Sequence, residues 1–436
     1  MTLSPQRRLD ILNAIRRGTV PQAGLDALAV GLDRFASTVD DELSQVEKGA
    51  AVFKAVRGDY GCGKTFFVRW LQERALKRGF VTAEVQISES ETPLHKLETV
   101  YRRLIERLRS SECDHGAFRS IIDAWFFALE EDVISTGVTE PDELARQTVA
   151  LLEKRLSAVS RVAPAYAMAL RAYREAQTKK NTTLCDGLIA WLGGQPNISA
   201  DIKRAANLRG DVDHFAALGF TQGLLTVLRD SGRPGLVLVL DEVETLQRVR
   251  SDVREKALNA LRQLIDEVDA GRFPGLYLLI TGTPAFFDGA QGVQRLAPLA
   301  QRLHVDFSLD TRFDNPRAPQ LRLRGFDQEL LREIGLRVRA IYTQGVSNTE
   351  RIDALADDTV LARLADSLCG QLGGKVGVAP RLYLKKLVAE VLDRIDQFPD
   401  FDPSRDYQFT LQKQEMTAAE RAAAGYASVD DIPLET

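Results

Sequence analysis

The stretch Gly58-Asp59-Tyr60-Gly61-Cys62-Gly63-Lys64-Thr65 constrains this chain more than any other, because its closely spaced glycines ask for a backbone that most side chains forbid. It follows a short apolar, β-branched run at 51–56 that reads as a buried strand. It precedes Phe66, Phe67, Trp70, Leu71 and Ala75 at helical spacing, with Arg78-Gly79 as the stop. Strand, glycine turn and helix in that order fit G-x-x-x-x-G-K-[ST] at every fixed position. Such a turn aims its N–H groups at a phosphate chain, with Lys64 in reach of the β and γ oxygens and the Thr65 hydroxyl able to ligate Mg²⁺. The helix start adds its positive end. Gly58, Asp59, Tyr60, Gly61, Cys62, Gly63, Lys64 and Thr65 are therefore candidate ATP contacts.

A second strand at 81–87 completes a β-loop-α-β unit of the parallel, doubly wound kind. The run 236–240 is apolar throughout and ends in Asp241-Glu242, which puts two carboxylates at the C-terminal end of a buried strand, where open α/β sheets bind ligands. Asp241 would hold Mg²⁺, directly or through water, and Glu242 would orient and polarise the attacking water. Further buried strands are expected at 275–280 and, as the last one, at 303–309. Thr281, in Thr281-Gly282-Thr283-Pro284, places a hydroxyl directly after a strand, where it could sense a γ-phosphate or hold the water; Gly-Thr-Pro is equally good turn chemistry. Gly377-Val378-Ala379-Pro380-Arg381 opens a helix, and an Arg in a first turn opposes the helix dipole unless an anion faces it.

With 436 residues the chain exceeds one average domain. Residues 110–215 are mostly helix formers without a clear strand, and they separate Lys64 from Asp241 by more than a minimal nucleotide domain requires. The expected division is an N-terminal helical segment at 1–28, an α/β core at 29–109 and 216–325, a helical insertion at 110–215, a helical lid at 326–398, and a weakly anchored tail at 399–436. The insertion reads either as an arm for a partner or nucleic acid, or as a packing elaboration.

No run of about 18 apolar residues occurs, which excludes a helical membrane span. The first residues lack a secretory pattern, and four widely spaced cysteines, one inside the phosphate loop, suit a reducing cytoplasm and give no zinc spacing. A net charge of -4 gives no global nucleic-acid signature, so contact with DNA would have to come from local clusters: Arg7, Arg8, Arg16 and Arg17; Arg102, Arg103 and Arg107; or Lys203, Arg204 and Arg209. Solvated helical faces often look the same.

Together, the glycine loop (Walker A), the acidic strand end (Walker B), a polar residue closing the next strand and an Arg in a C-terminal helical region resemble the AAA+ ATPases, nearest their Orc/Cdc6 and STAND-like branches. The resemblance implies an α/β P-loop NTPase with a parallel sheet flanked by helices and a C-terminal helical lid. It makes Thr281 similar to sensor 1, Arg381 to the sensor 2 arginine, and Arg302, with Arg295 as the alternative, to the arginine finger that reaches a neighbour's ATP. Ala29-Val30-Gly31-Leu32-Asp33 resembles the adenine-side segment and brings in Val30, although Gly-Leu stands where Gly-Arg is usual. More closely, 58–65, 93–97, 236–246 and 281–287 resemble the P-loop family of bacteriophage exclusion (BREX) system ATP-binding proteins, over about 16–391. That likeness implies a role in defence against phage, beside a helicase and other defence proteins as candidate partners. The first functional expectation is an AAA+ ATPase that uses ATP with Mg²⁺, self-associates and acts on or near DNA within such a defence complex. The alternative is a nucleotide-gated scaffold that recruits a helicase, with slow turnover and little direct DNA binding.

Overall fold

The computed structural model describes residues 3–371 and 380–408. Five parallel strands form one sheet: β1 (Val52–Arg57), β2 (Val81–Gln86), β3 (Leu236–Asp241), β4 (Leu276–Gly282) and β5 (Gln320–Arg322), in the order β2-β3-β4-β1-β5. β3 and β4 are continuous apolar runs because both faces are covered. On one face Ala83, Val85, Leu238, Leu240, Leu278 and Ile280 pack against the helices Leu97–Glu106, His214–Asp230 and Ser251–Asp269. On the other, Val56, Val237, Val239, Tyr277 and Leu279 meet Phe35 of the helix Asp33–Glu47 and Phe67 and Trp70 of the helix Lys64–Lys77.

The expected helical stretch between β2 and β3 holds Phe118–Ile134, Pro141–Val162, Pro164–Thr178, Thr182–Leu192 and Ala200–Ala205. Their apolar residues belong to the same continuous core as the first face of the sheet. Phe220 is the hub of this docking: Tyr166, Trp191 and Tyr101 set their rings edge-on to it at 5.1, 5.4 and 5.8 Å. Trp125 donates to Asp230 at 2.7 Å and Tyr101 to the Leu192 carbonyl at 2.8 Å, while the buried Tyr166 hydroxyl has no hydrogen-bond partner.

A separate core joins the two ends of the chain. Ile11, Leu12 and Ile15 of the helix Pro5–Arg16 pack with Leu331, Val338, Leu364, Leu387 and Val391 of the C-terminal helices, and Arg16 pairs with Asp393 at 2.7 Å. Among the basic clusters, Arg103 pairs with Glu91 and Glu106, Lys203 with Asp211 and Arg204 with Asp201.

The last strand is not at 303–309. Leu303 ends the helix Ala297–Leu303, and the sheet edge beside β1 is taken by Gln320–Arg322, with Ala55 opposite Gln320 and Arg57 opposite Arg322. The apolar alternation through Val305, Phe307 and Leu309 belongs to a strap. Phe307 lies under the guanidinium groups of Arg57 and Arg322, 4.9 and 4.8 Å from its ring centre, and its carbonyl accepts from Arg322 at 3.0 Å instead of joining a ladder. Leu309 is 67% exposed. Residues 377–379 and the tail beyond residue 408 lie outside the described residues. Among the described residues, no helix is long and apolar enough to cross a membrane.

Candidate nucleotide site

The C-terminal ends of β1, β3 and β4 meet at one edge of the sheet, and the candidate residues gather there. After β1 the backbone turns through Gly61 and Gly63, both at positive φ (83° and 98°), and Gly63 caps the helix that Lys64 starts. Gly58 is needed for closeness: a Cβ there would stand 2.3 Å from the Cys62 sulfur. Cys62 is buried behind the loop, and burial pushes its thiol pKa up. Lys64 folds back over its own turn, donating to the carbonyls of Gly58 at 2.7 Å and Asp59 at 3.2 Å. Its ammonium lies 5.1 Å from the centre of the Tyr60 ring.

β4 runs between β1 and β3, so the glycine loop and the acidic strand end are two strand spacings apart, about 10 Å. Thr281 stands on the strand between them, directly opposite Val56, and is fully buried. Its hydroxyl donates to Asp241 Oδ1 and accepts from the Glu242 N–H at 3.1 Å. Thr281 therefore sits beneath the two acids and ties them together. Burial raises the Asp241 carboxyl above the usual range; the Thr281 hydrogen bond opposes this, and the neighbouring Glu242 charge adds to it.

Glu242 adopts a left-handed backbone (φ 57°), uncommon away from glycine, and its Oε2 accepts from the Gln86 side-chain amide at 2.9 Å. Two residues on, Glu244 is only 4% exposed, and neither carboxylate oxygen has a hydrogen-bond partner. Its burial raises its pKa.

These groups open on one cleft of about 1100 Å³, lined by residues 60–65 of the loop, by Asp241, Glu242 and Glu244, and by an apolar nook that includes Leu28, Val30, Leu330, Ile334 and Leu384. Val30 and Arg381 reach it from opposite ends of the chain, Arg381 packing beside Gly18. Arg302 and Arg295 lie elsewhere: Arg302 is held by Asp266 at 2.7 Å and Asp269 at 3.2 Å, and Arg295 by Gln291 at 3.1 Å and Ser251 at 3.4 Å.

Sequence reading missed several groups of this edge. Gln86, Glu244, Arg34, Arg248, Arg312 and Arg324 carry no motif; only the strand order and the closing of distant segments bring them here. Arg34 is anchored through the carbonyls of Thr311 at 3.0 Å and Arg322 at 2.8 Å, and burial, with Arg324 nearby, lowers its pKa.

The donors suit Mg²⁺ shared with a phosphate chain. The Thr65 hydroxyl and the Asp241 carboxylate open on the same cleft and are hard oxygen ligands. Among the described residues, no group of three or more His, Cys, Asp or Glu side chains could enclose a metal by itself, so further ligands would come from water and substrate.

No curated protein of known function matches this chain. A family model does match, over residues 3–411, and with nearly the whole chain covered, this protein belongs to the family described as BREX system ATP-binding protein BrxC/D.

Proposed function

We propose that this chain binds ATP with Mg²⁺ between its glycine loop and its acidic strand end and hydrolyses it, working as a self-associating ATPase on or near DNA within a bacterial antiphage assembly. One observation carries the reading: Lys64 and Thr65, far in sequence from Asp241 and Glu242, line the same cleft, and Thr281 bonds both acids from the strand between. Phosphoryl transfer to water asks the protein mainly for positioning and charge stabilisation. The loop N–H groups and Lys64 would hold the phosphates. Thr65 and Asp241 would hold Mg²⁺, which when bound offsets phosphate charge. Glu242 would accept a proton from the attacking water, with Thr281 fixing its backbone. The apolar nook at Val30 would take the base, and Arg381 would touch the phosphates from the C-terminal helices as a lid does. The protein would work in the cytoplasm, with a helicase among its partners; membership in a BREX family supports other defence-system proteins as partners.

The division into core, inserted helices and lid fits this reading, because the cleft is closed on one side by the core that unites both chain ends. In an oligomer Arg302, or Arg295 in its place, would reach a neighbour's ATP only after leaving its present partners.

A second reading, a nucleotide-gated scaffold that turns over slowly, is favoured by a specific arrangement: Lys64 is folded onto its own loop and Glu242 is engaged by Gln86. Glu242→Gln separates the two. Under the ATPase reading it keeps ATP and stops hydrolysis; turnover equal to the parent protein would remove Glu242 from the chemistry.

A further inference from the structure

Behind Glu242 the chain makes a short 3₁₀ turn, Val243–Gln247, and ends it on Arg248. The Arg248 side chain is exposed and lines the nucleotide cleft on the side of Glu242 and Tyr60. Burial raises the pKa of the Tyr60 phenol on the glycine loop, and the nearby Arg248 charge opposes that rise. Among the described residues Arg248 makes no ion pair. The other unassigned arginines of the cleft are committed: Arg34 to two carbonyls, Arg312 to Asp310 at 3.3 Å, and Arg324 to the same carboxylate at 3.8 Å.

The backbone under Arg248 is clamped. Arg254, itself buried, donates to the carbonyls of Leu246 at 3.1 Å, Gln247 at 2.8 Å and Val249 at 2.8 Å, on both sides of Arg248. A fixed backbone carrying a guanidinium that has no ion pair among the described residues is the arrangement that preorganised charge stabilisation requires. The need for charge is also local. Asp241, Glu242 and Glu244 place three carboxyl groups on this side of the cleft, and a terminal phosphate would add more negative charge, with Lys64 as the cation opposite.

We propose that Arg248 is a catalytic residue that contacts the terminal phosphate of ATP in the same chain, and that Arg254 positions it. This rests on the ATP-hydrolysing reading above. Charge developing on the phosphoryl oxygens would be met by a guanidinium supplied in cis, beside any arginine that a neighbour adds.

The test uses the full-length chain as Arg248→Ala and Arg248→Lys, measuring steady-state ATP hydrolysis and, by calorimetry, the affinities for ADP and for ATPγS. In Arg248→Ala, turnover should fall on the order of 100-fold or more. Affinity for ADP should stay within about twofold, and the preference for ATPγS over ADP should shrink about tenfold. Arg248→Lys should recover part of both. Mixing Arg248→Ala with Glu242→Gln should restore nothing, because each chain then lacks a part of its own site. Unchanged turnover with an unchanged ATPγS preference, or restored activity in the mixture, would overturn the assignment. If the parent protein binds ATP without hydrolysing it, the hydrolysis reading fails by itself and the ATPγS preference still decides Arg248. If the parent binds no ATP, both fall.

Discussion

Gln86 donates its side-chain amide to Oε2 of Glu242 across 2.9 Å and so joins the ends of two neighbouring strands, β2 and β3. A carboxylate held this way has one oxygen occupied and a preferred direction. Releasing it should free the group to meet water. Gln86→Ala is therefore expected to raise ATP turnover by up to about tenfold, the scale of one hydrogen bond to a charged group, while leaving ADP affinity nearly unchanged. Steady-state hydrolysis beside ADP calorimetry reads this out, and lower turnover would mean that Gln86 helps to aim Glu242.

Thr281 is fully buried and bonds Asp241 and Glu242 at once. Thr281→Val keeps the volume but leaves a carboxylate oxygen and a backbone N–H without that partner. The expected loss is about 1–3 kcal/mol of stability, with a higher Mg²⁺ concentration needed for half-maximal turnover. Urea unfolding and a Mg²⁺ titration check the two parts separately, and Thr281→Ser should restore most of both.

Glu244 makes a pH-dependent prediction with a definite sign. Its folded pKa is raised, above all by burial, so the folded state favours the protonated form. Its contribution is most favourable below its unfolded pKa and is lost as pH rises through the folded value. In the nucleotide-free protein Glu244→Gln should therefore raise Tm at pH 7.5, by about 1–3 °C, and the advantage should vanish as the pH falls below the ordinary carboxylate range. A fluorimetric melt at a series of pH values would show it, and an advantage that grew in acid would contradict the burial argument.

What could be read in the sequence follows from how local each signal is. The glycine loop was legible because strand, turn and helix are contiguous, and β3 and β4 because burial on both faces leaves uninterrupted apolar runs. β5 was not: three residues, Gln320–Arg322, carry no pattern, while the alternation at 303–309 came from a strap whose Phe307 packs under Arg57 and Arg322 without strand pairing. Gln86 could be recognised only once β2 was known to neighbour β3, and Arg248 only once its turn was known to face Tyr60. The docking of the first helix among the C-terminal ones likewise depends on pairings such as Arg16 with Asp393, almost a full chain length apart.

The central claim is tested most directly by a crystal structure of the protein with Mg²⁺ and a nonhydrolysable ATP analogue. The expected result has the phosphates seated in the 58–65 loop, the Lys64 ammonium moved from the Gly58 and Asp59 carbonyls onto phosphate oxygens, and Mg²⁺ between Thr65 and the Asp241 carboxylate. An analogue bound away from this cleft, or one seated here with Lys64 still on its own loop and no metal at Asp241, would contradict it.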